Sequence, residues 1–185
     1  MADATSILVT CAGVVLKSDR ETLLELLESE GPRLLGLLTK LTLRQDVAED
    51  LMQDLFVRVA RSGALARTDD AGAYVRRVAI NLAFEWRRKA KRKPSTTEFP
   101  IEPASRDQSP HERMSRSEQY ERVLLAASQL SASMHEVFVM RYIEELAPEE
   151  IARRLKRPSH QVRATCHKAL KQIRKRLSSG EDHDA

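Results

Sequence analysis

Cysteine, glycine and aromatic side chains are all scarce in this 185-residue chain, and each scarcity removes a class of protein. Two cysteines, Cys11 and Cys166, are too few and too far apart for a disulfide framework or a thiolate zinc cluster, and they fit a reducing cytoplasm. The six glycines form no phosphate-cradling loop. Aromatics at 4% argue against a large mixed sheet and for small helical units. No apolar run reaches the roughly 18 to 20 residues that cross a bilayer, so no membrane insertion is expected. Ile7 to Leu16 is apolar but lacks the basic flank and small-residue cleavage site of a signal peptide. The five histidines, His111, His135, His160, His167 and His183, show no metal-ligand spacing with cysteine or carboxylates, so neither a metal nor another cofactor is expected. Cys166 falls in an apolar stripe and suits packing better than nucleophilic attack. No catalytic set emerges, and the chain reads as a non-enzyme.

What is abundant is Leu, Ala, Arg and Glu, the residues of stable helices. The expected fold is all-α, with two small helical domains joined by a flexible linker, the second containing a helix-turn-helix. Residues 1–20 are an N-terminal extension and 21–93 the first domain. Residues 94–116 are the linker, 117–178 the second domain and 179–185 a small, acidic tail. The linker holds Pro94, Pro100, Pro103 and Pro110, four of the seven prolines, among Ser, Thr and charged residues, and cannot bury enough surface to fold alone. The net charge of +4 and a pI of 9.2 hint at nucleic acid, but the distribution of charge says more than its sum.

In the first domain the pattern gives about four helices. Glu21 to Leu27 and Gly31 to Leu41 carry a leucine core. The next begins near Asp46 as N-cap, with Glu49 three residues on, as in a capping box. Val47, Leu51, Leu55 and Val59 are its buried stripe. Asp46, Asp50, Gln53 and Val57 lie opposite, with Asp54 beside them. An acidic face repels DNA and suits a protein partner with a basic surface; on charge alone, a solvated helix face fits equally well. Ser62 to Ala71 reads as a loop. Ala73 to Lys91 is a helix with Val75, Val78, Ala79, Leu82 and Trp86 packed, and Tyr74, Arg77, Asn81, Phe84 and Arg88 on another face. Its end, Phe84 to Lys93, has six basic residues against one acidic, interleaved with aromatics. That mixture suits single-stranded DNA, where bases stack on rings while cations track the backbone. The plainer reading is a core Trp86 and a basic end that complements the helix C-terminus.

In the second domain Tyr120 to Leu130 and Met134 to Tyr142 are amphipathic. Pro148 opens a helix at its first position, and Arg157, Pro158 and Ser159 make a turn in which Ser159 can cap the last helix. Ten Lys or Arg and no acid fall between Arg153 and Arg176. In the last helix Val162, Cys166, Ala169, Leu170, Ile173 and Leu177 are buried. That leaves His160, Gln161, Arg163, Ala164 and His167 to reach base edges in a major groove, with Lys168, Lys171, Arg174 and Lys175 on phosphates. A solvated basic hairpin face is the competing account.

Taken together these residues resemble the extracytoplasmic-function group of the sigma-70 family of bacterial RNA polymerase sigma factors. Asp46-Val-Ala-Glu-Asp-Leu-Met-Gln-Asp-Leu-Phe-Val-Arg58 looks like that family's core-polymerase-binding helix. Ala73-Tyr-Val-Arg-Arg-Val-Ala-Ile-Asn-Leu-Ala-Phe-Glu-Trp-Arg-Arg88 looks like its −10-recognising helix. Glu136-Val-Phe-Val-Met-Arg-Tyr, Pro148-Glu-Glu-Ile-Ala and His167-Lys-Ala-Leu look like its −35-reading domain. The resemblance implies core-polymerase binding through Asp50, Gln53, Asp54, Phe56 and Arg58. It implies −10 contacts from Tyr74, Arg77, Asn81, Arg87 and Arg88, and −35 contacts from Ser159, His160, Gln161, Arg163, Ala164, His167 and Lys168. The implied partners are the RNA polymerase core and promoter DNA. An anti-sigma partner is frequent in the family, and the sequence speaks neither for nor against one. Where the family usually has Trp, Asp, a polar helix cap and a turn Gly, this chain has Ala60, Glu85, Ala147 and Lys156. The runner-up is a stand-alone helix-turn-helix regulator, which would need neither the acidic helix nor the aromatic-basic one.

Overall fold

The structure, a computed structural model, describes residues 4–91 and 110–181, with side chains described over 23–91, apart from residue 66, and over 116–179. The proline-rich core of the expected linker, the basic residues Arg92 and Lys93, and the last four residues of the tail lie outside the described residues. Every regular element among the described residues is helical: α1 (Ala4–Thr42), α2 (Gln45–Ser62), a 3₁₀ turn (Leu65–Arg67), α3 (Ala71–Lys91), α4 (Pro110–Ala127), α5 (Ala132–Phe138, running into a π turn at Val139–Ile143), α6 (Pro148–Arg154) and α7 (Ser159–Glu181). The chain divides into two compact units, Met1–Thr39 with Gln45–Ala79, and Lys40–Arg44 with Ile80–Ala185.

In the first unit the leucines of α1 and the four-residue repeat of α2 form the core. Leu34, Leu37 and Leu38 are buried, as are Val47, Leu51, Leu55 and Val59. The two helices expected before residue 42 are one, with Pro32 inside it. A proline removes one N–H but keeps a helical φ, so a helix continues through it where the flanking turns are held by burial. α2 starts at Gln45, so Asp46 sits in the first turn rather than at the cap, and Glu49 accepts from Gln45 Nε2 at 3.0 Å. The loop before α3 holds the 3₁₀ turn, and Asp70 caps α3 by accepting from the Ala73 N–H at 2.8 Å.

The second unit is built around the two-helix motif of α6 and α7. Val137, Met140, Ile151, Ala152, Val162 and Cys166 share one apolar cluster, with Leu146 and Leu155 packed against it. Pro148 occupies the first turn of α6 as expected, with Ala147 as an N-cap that makes no side-chain bond. After α6, Lys156 takes a left-handed φ of 50° and the Arg157 N–H reaches back to the Ala152 carbonyl at 2.9 Å. This six-to-one bond is the usual helix stop, here made with a lysine where glycine is favoured. Ser159 is not the cap: the Pro158 carbonyl accepts from Gln161 and Val162, which makes Ser159 the first helical residue. α4 begins at Pro110, inside the expected linker, and so is longer than its amphipathic pattern indicated.

Candidate polymerase and nucleic-acid interfaces

α2 presents a polar face because Val47, Leu51, Leu55 and Val59 recur every four residues and are buried. Asp46, Glu49, Asp50, Gln53, Asp54 and Arg58 are exposed, and Phe56 is half-buried. Val57 is 46% exposed among them, an apolar spot within a charged face. The candidate partner residues Asp50, Gln53, Asp54, Phe56 and Arg58 therefore share one accessible surface.

α3 behaves differently. Its buried residues are Val75, Ala79, Ile80, Leu82, Ala83, Phe84 and Arg87, which occupy no single helical phase. Phe84, expected on the outer face, is fully buried, and Trp86, expected in the core, is only half-buried. The cause lies on the far side of the helix: the Phe84 ring stacks on His135 of α5, centroids 4.3 Å apart. Tyr74 is half-buried with its hydroxyl 3.3 Å from Ser62 Oγ. Arg77 is exposed, and Asn81 and Arg88 are half-buried. Arg88 donates from Nη1 to the Ser128 carbonyl at 2.8 Å. Arg87 is 3% exposed. Its Nε donates to the Leu41 carbonyl at 2.5 Å and its Nη1 pairs with Glu121 at 3.4 Å. Burial pulls its basicity down, and the Glu121 carboxylate pushes back. A guanidinium so placed closes the carbonyl end of α1.

His135 is 3% exposed, and its Nε2–H donates to the Ala127 carbonyl at 3.1 Å. Its other nitrogen, Nδ1, is buried without a partner. Burial, reinforced by the neighbouring Arg88 cation, pushes its pKa from 6.5 down to about 4. Neither the stack nor this shift was visible in the sequence, where His135 is one histidine in an amphipathic run.

α7 places its residues as the periodicity foretold. Val162, Cys166, Ala169 and Ile173 are buried, while His160, Gln161, Arg163, Ala164, His167, Lys168, Lys171, Arg174 and Lys175 are exposed. Leu170 and Leu177 are half-buried, as is Ser159. The exposed side of the motif's last helix is thus polar and basic, broken only by Ala164. Cys166 lies within the apolar cluster, where burial raises its thiol pKa and removes it from nucleophilic chemistry. The side chain that pattern reading did not foresee here is Glu149 of α6, whose carboxylate bonds the Arg163 guanidinium.

The two helical segments match known families. Sigma-70 region 2 matches residues 26–93, and Sigma-70 region 4 matches residues 120–173. The chain belongs to the sigma-70 family, in its extracytoplasmic-function group. It is similar to the RNA polymerase sigma-E factor of Streptomyces avermitilis, 34% identical over 139 residues, which is 75% of this chain and 74% of that protein. The RNA polymerase sigma-E factor of Streptomyces antibioticus is 34% identical over 143 residues, again 75% and 74% of the two chains. That of Streptomyces coelicolor is 32% identical over 134 residues, 70% and 71%. This sigma factor therefore binds core polymerase and directs promoter recognition and transcription initiation. Region 2 takes in α2 and α3, and region 4 takes in α5, α6 and most of α7.

Proposed function

We propose that this sigma factor docks on core polymerase through Asp50, Gln53, Asp54, Phe56 and Arg58 of α2. We further assign −10 recognition to Tyr74, Arg77, Asn81 and Arg88 of α3. The −35 element is read by Ser159, His160, Gln161, Arg163, Ala164, His167 and Lys168 of α7. The observation that carries the first assignment is the exposed acidic face of α2 over a wholly buried stripe, which has no packing role of its own. An acidic face cannot serve DNA and complements a basic protein surface. The α7 assignment is supported by the exposure of its donors on a helix whose opposite side is apolar. Arg87 would have to leave both Leu41 and Glu121 to reach DNA, so we assign it to holding α3 against the end of α1. The protein acts without catalysis, in the cytoplasm where polymerase and promoter are; no described helix is long and apolar enough to cross a membrane. Affinity capture from the native cell tests for an anti-sigma partner.

The test is co-migration of the full chain with bacterial core RNA polymerase on a sizing column. Wild type should co-migrate and Asp54→Arg should not, because it reverses an exposed charge of the acidic face. Unchanged co-migration of Asp54→Arg would remove that face from the interface. Tight duplex binding with no polymerase association would favour the stand-alone regulator.

A further inference from the structure

The run from Arg153 to Arg176 contains no acid, yet the fold brings one to it. Glu149 lies in the first turn of α6, and its carboxylate accepts from Nη2 of Arg163, a residue 14 positions away on α7. Both side chains are well exposed, so the pair adds little to folding. Its geometry is nevertheless defined from the α6 side. Pro148 fixes the start of the helix, and Ala147 supplies no capping side chain. The Glu149 carboxylate instead turns back to its own backbone N–H, and that bond, after the Arg163 bond, keeps it below the usual carboxylate range. The neighbouring acid is occupied on its own helix, Glu150 pairing with Arg154 at 2.7 Å. A carboxylate held by its own helix start thus grips one nitrogen of a long, otherwise free side chain. Nη2 carries a second N–H, which together with Nε or Nη1 still presents one two-donor edge to a base, and guanine takes two donors from one guanidinium.

We infer that Glu149 is a positioning residue for promoter reading: it aims Arg163 before DNA arrives and places one negative charge where unspecific phosphate contact would otherwise form. This rests on the assignment of Arg163 to the −35 reader. A freely rotating arginine meets phosphates as readily as bases, and phosphate contact carries no sequence information. Holding one nitrogen reduces the conformations that must be frozen on binding. The carboxylate repels a backbone that approaches out of register, while a matched base still finds the open side of the fork.

The experiment uses holoenzyme reconstituted from the full chain and bacterial core polymerase. Wild type first selects its preferred duplex from a library randomised across the −35 region. Binding to that duplex and to its single-base variants is then measured for wild type, E149Q, R163A and the double variant, with thermal unfolding as the control for folding. R163A should lose discrimination at one base position. E149Q should lose about threefold or more at that same position, should bind unrelated duplex more tightly, and should add nothing in the R163A background. E149D should restore part of the discrimination. A general loss of stability would not confine the change to one base or tighten unspecific binding. The inference is overturned if E149Q keeps the wild-type profile while R163A loses one position, or if the two losses add independently. If R163A itself leaves every position unchanged, Arg163 is not a reader and the inference falls with that assignment.

Discussion

Lowering the pH from 7.5 to 5.0 should remove about 2 kcal/mol of folding stability from this protein, and His135 should account for nearly all of it. The imidazole is enclosed, stacked on Phe84, and bonded through Nε2 to the Ala127 carbonyl. Protonation would place a charge inside this enclosure and beside the Arg88 cation, a cost that the Ala127 and Ser128 carbonyls offset only in part. These conditions hold the folded pKa at about 4 against 6.5 for the free side chain. A base with a lowered folded pKa binds its proton first in the unfolded chain. The stability it contributes is therefore complete above pH 6.5 and drains away as pH falls from 6.5 towards 4. The full shift corresponds to about 3 kcal/mol, of which about two-thirds has gone by pH 5. Carboxylates titrate mostly below that window, and His160 and His167 are exposed on α7. Trp86, the single tryptophan, lies two residues from Phe84 and reports on this part of the chain. Urea unfolding followed by its fluorescence at both pH values measures the loss. His135→Gln keeps a donor for Ala127 and cannot ionise in this range, so its stability should change little between the two. If the variant loses as much as wild type on acidification, the burial of His135 is not the cause and the argument fails.

Two further perturbations probe the packing that positions the interfaces. Ile151→Ala opens a cavity in the cluster that joins α6 to α7; it should cost about 2–5 kcal/mol by urea unfolding and weaken duplex binding in parallel. A loss below about 1 kcal/mol would mean the motif is not held by that cluster. Arg87→Met removes the donor on the Leu41 carbonyl while its partner Glu121 can turn to water, and should cost about 1–3 kcal/mol in the same assay. If Arg87→Met instead leaves stability intact and abolishes −10 binding, Arg87 belongs to the DNA face after all.

The parts of the structure that could be read from the sequence are those where one helix has one partner side. α2 buries a stripe at four-residue spacing and α7 one at alternating four- and three-residue spacing, and every residue assigned to their outer faces is exposed or, for Phe56 and Ser159, half-buried. α3 defeats that method because it is buried on more than one side. Period alone assigns Trp86 inward and Phe84 outward, but Phe84 is buried against the tertiary partner His135 and Trp86 is half-buried. No pattern within residues 71–91 contains that information, since it lies more than 40 residues further along the chain.

Pairings across turns were lost for a related reason. Glu149 and Arg163 are 14 residues apart, a spacing no single helix brings together. They meet only because the chain reverses at Lys156, in a left-handed conformation that a lysine disfavours. The same lysine is what weakened the turn signal in the sequence, where a glycine would have announced it. The strained turn, the missing cap at Ala147 and the Glu149 carboxylate that takes over its role are thus linked. The turn brings Glu149 beside the one arginine near the start of the reading helix, and the apolar cluster holds α6 on α7. Specificity in such a motif resides in a few side-chain directions, and those directions are fixed by the turn and the preceding helix as much as by the reading helix itself.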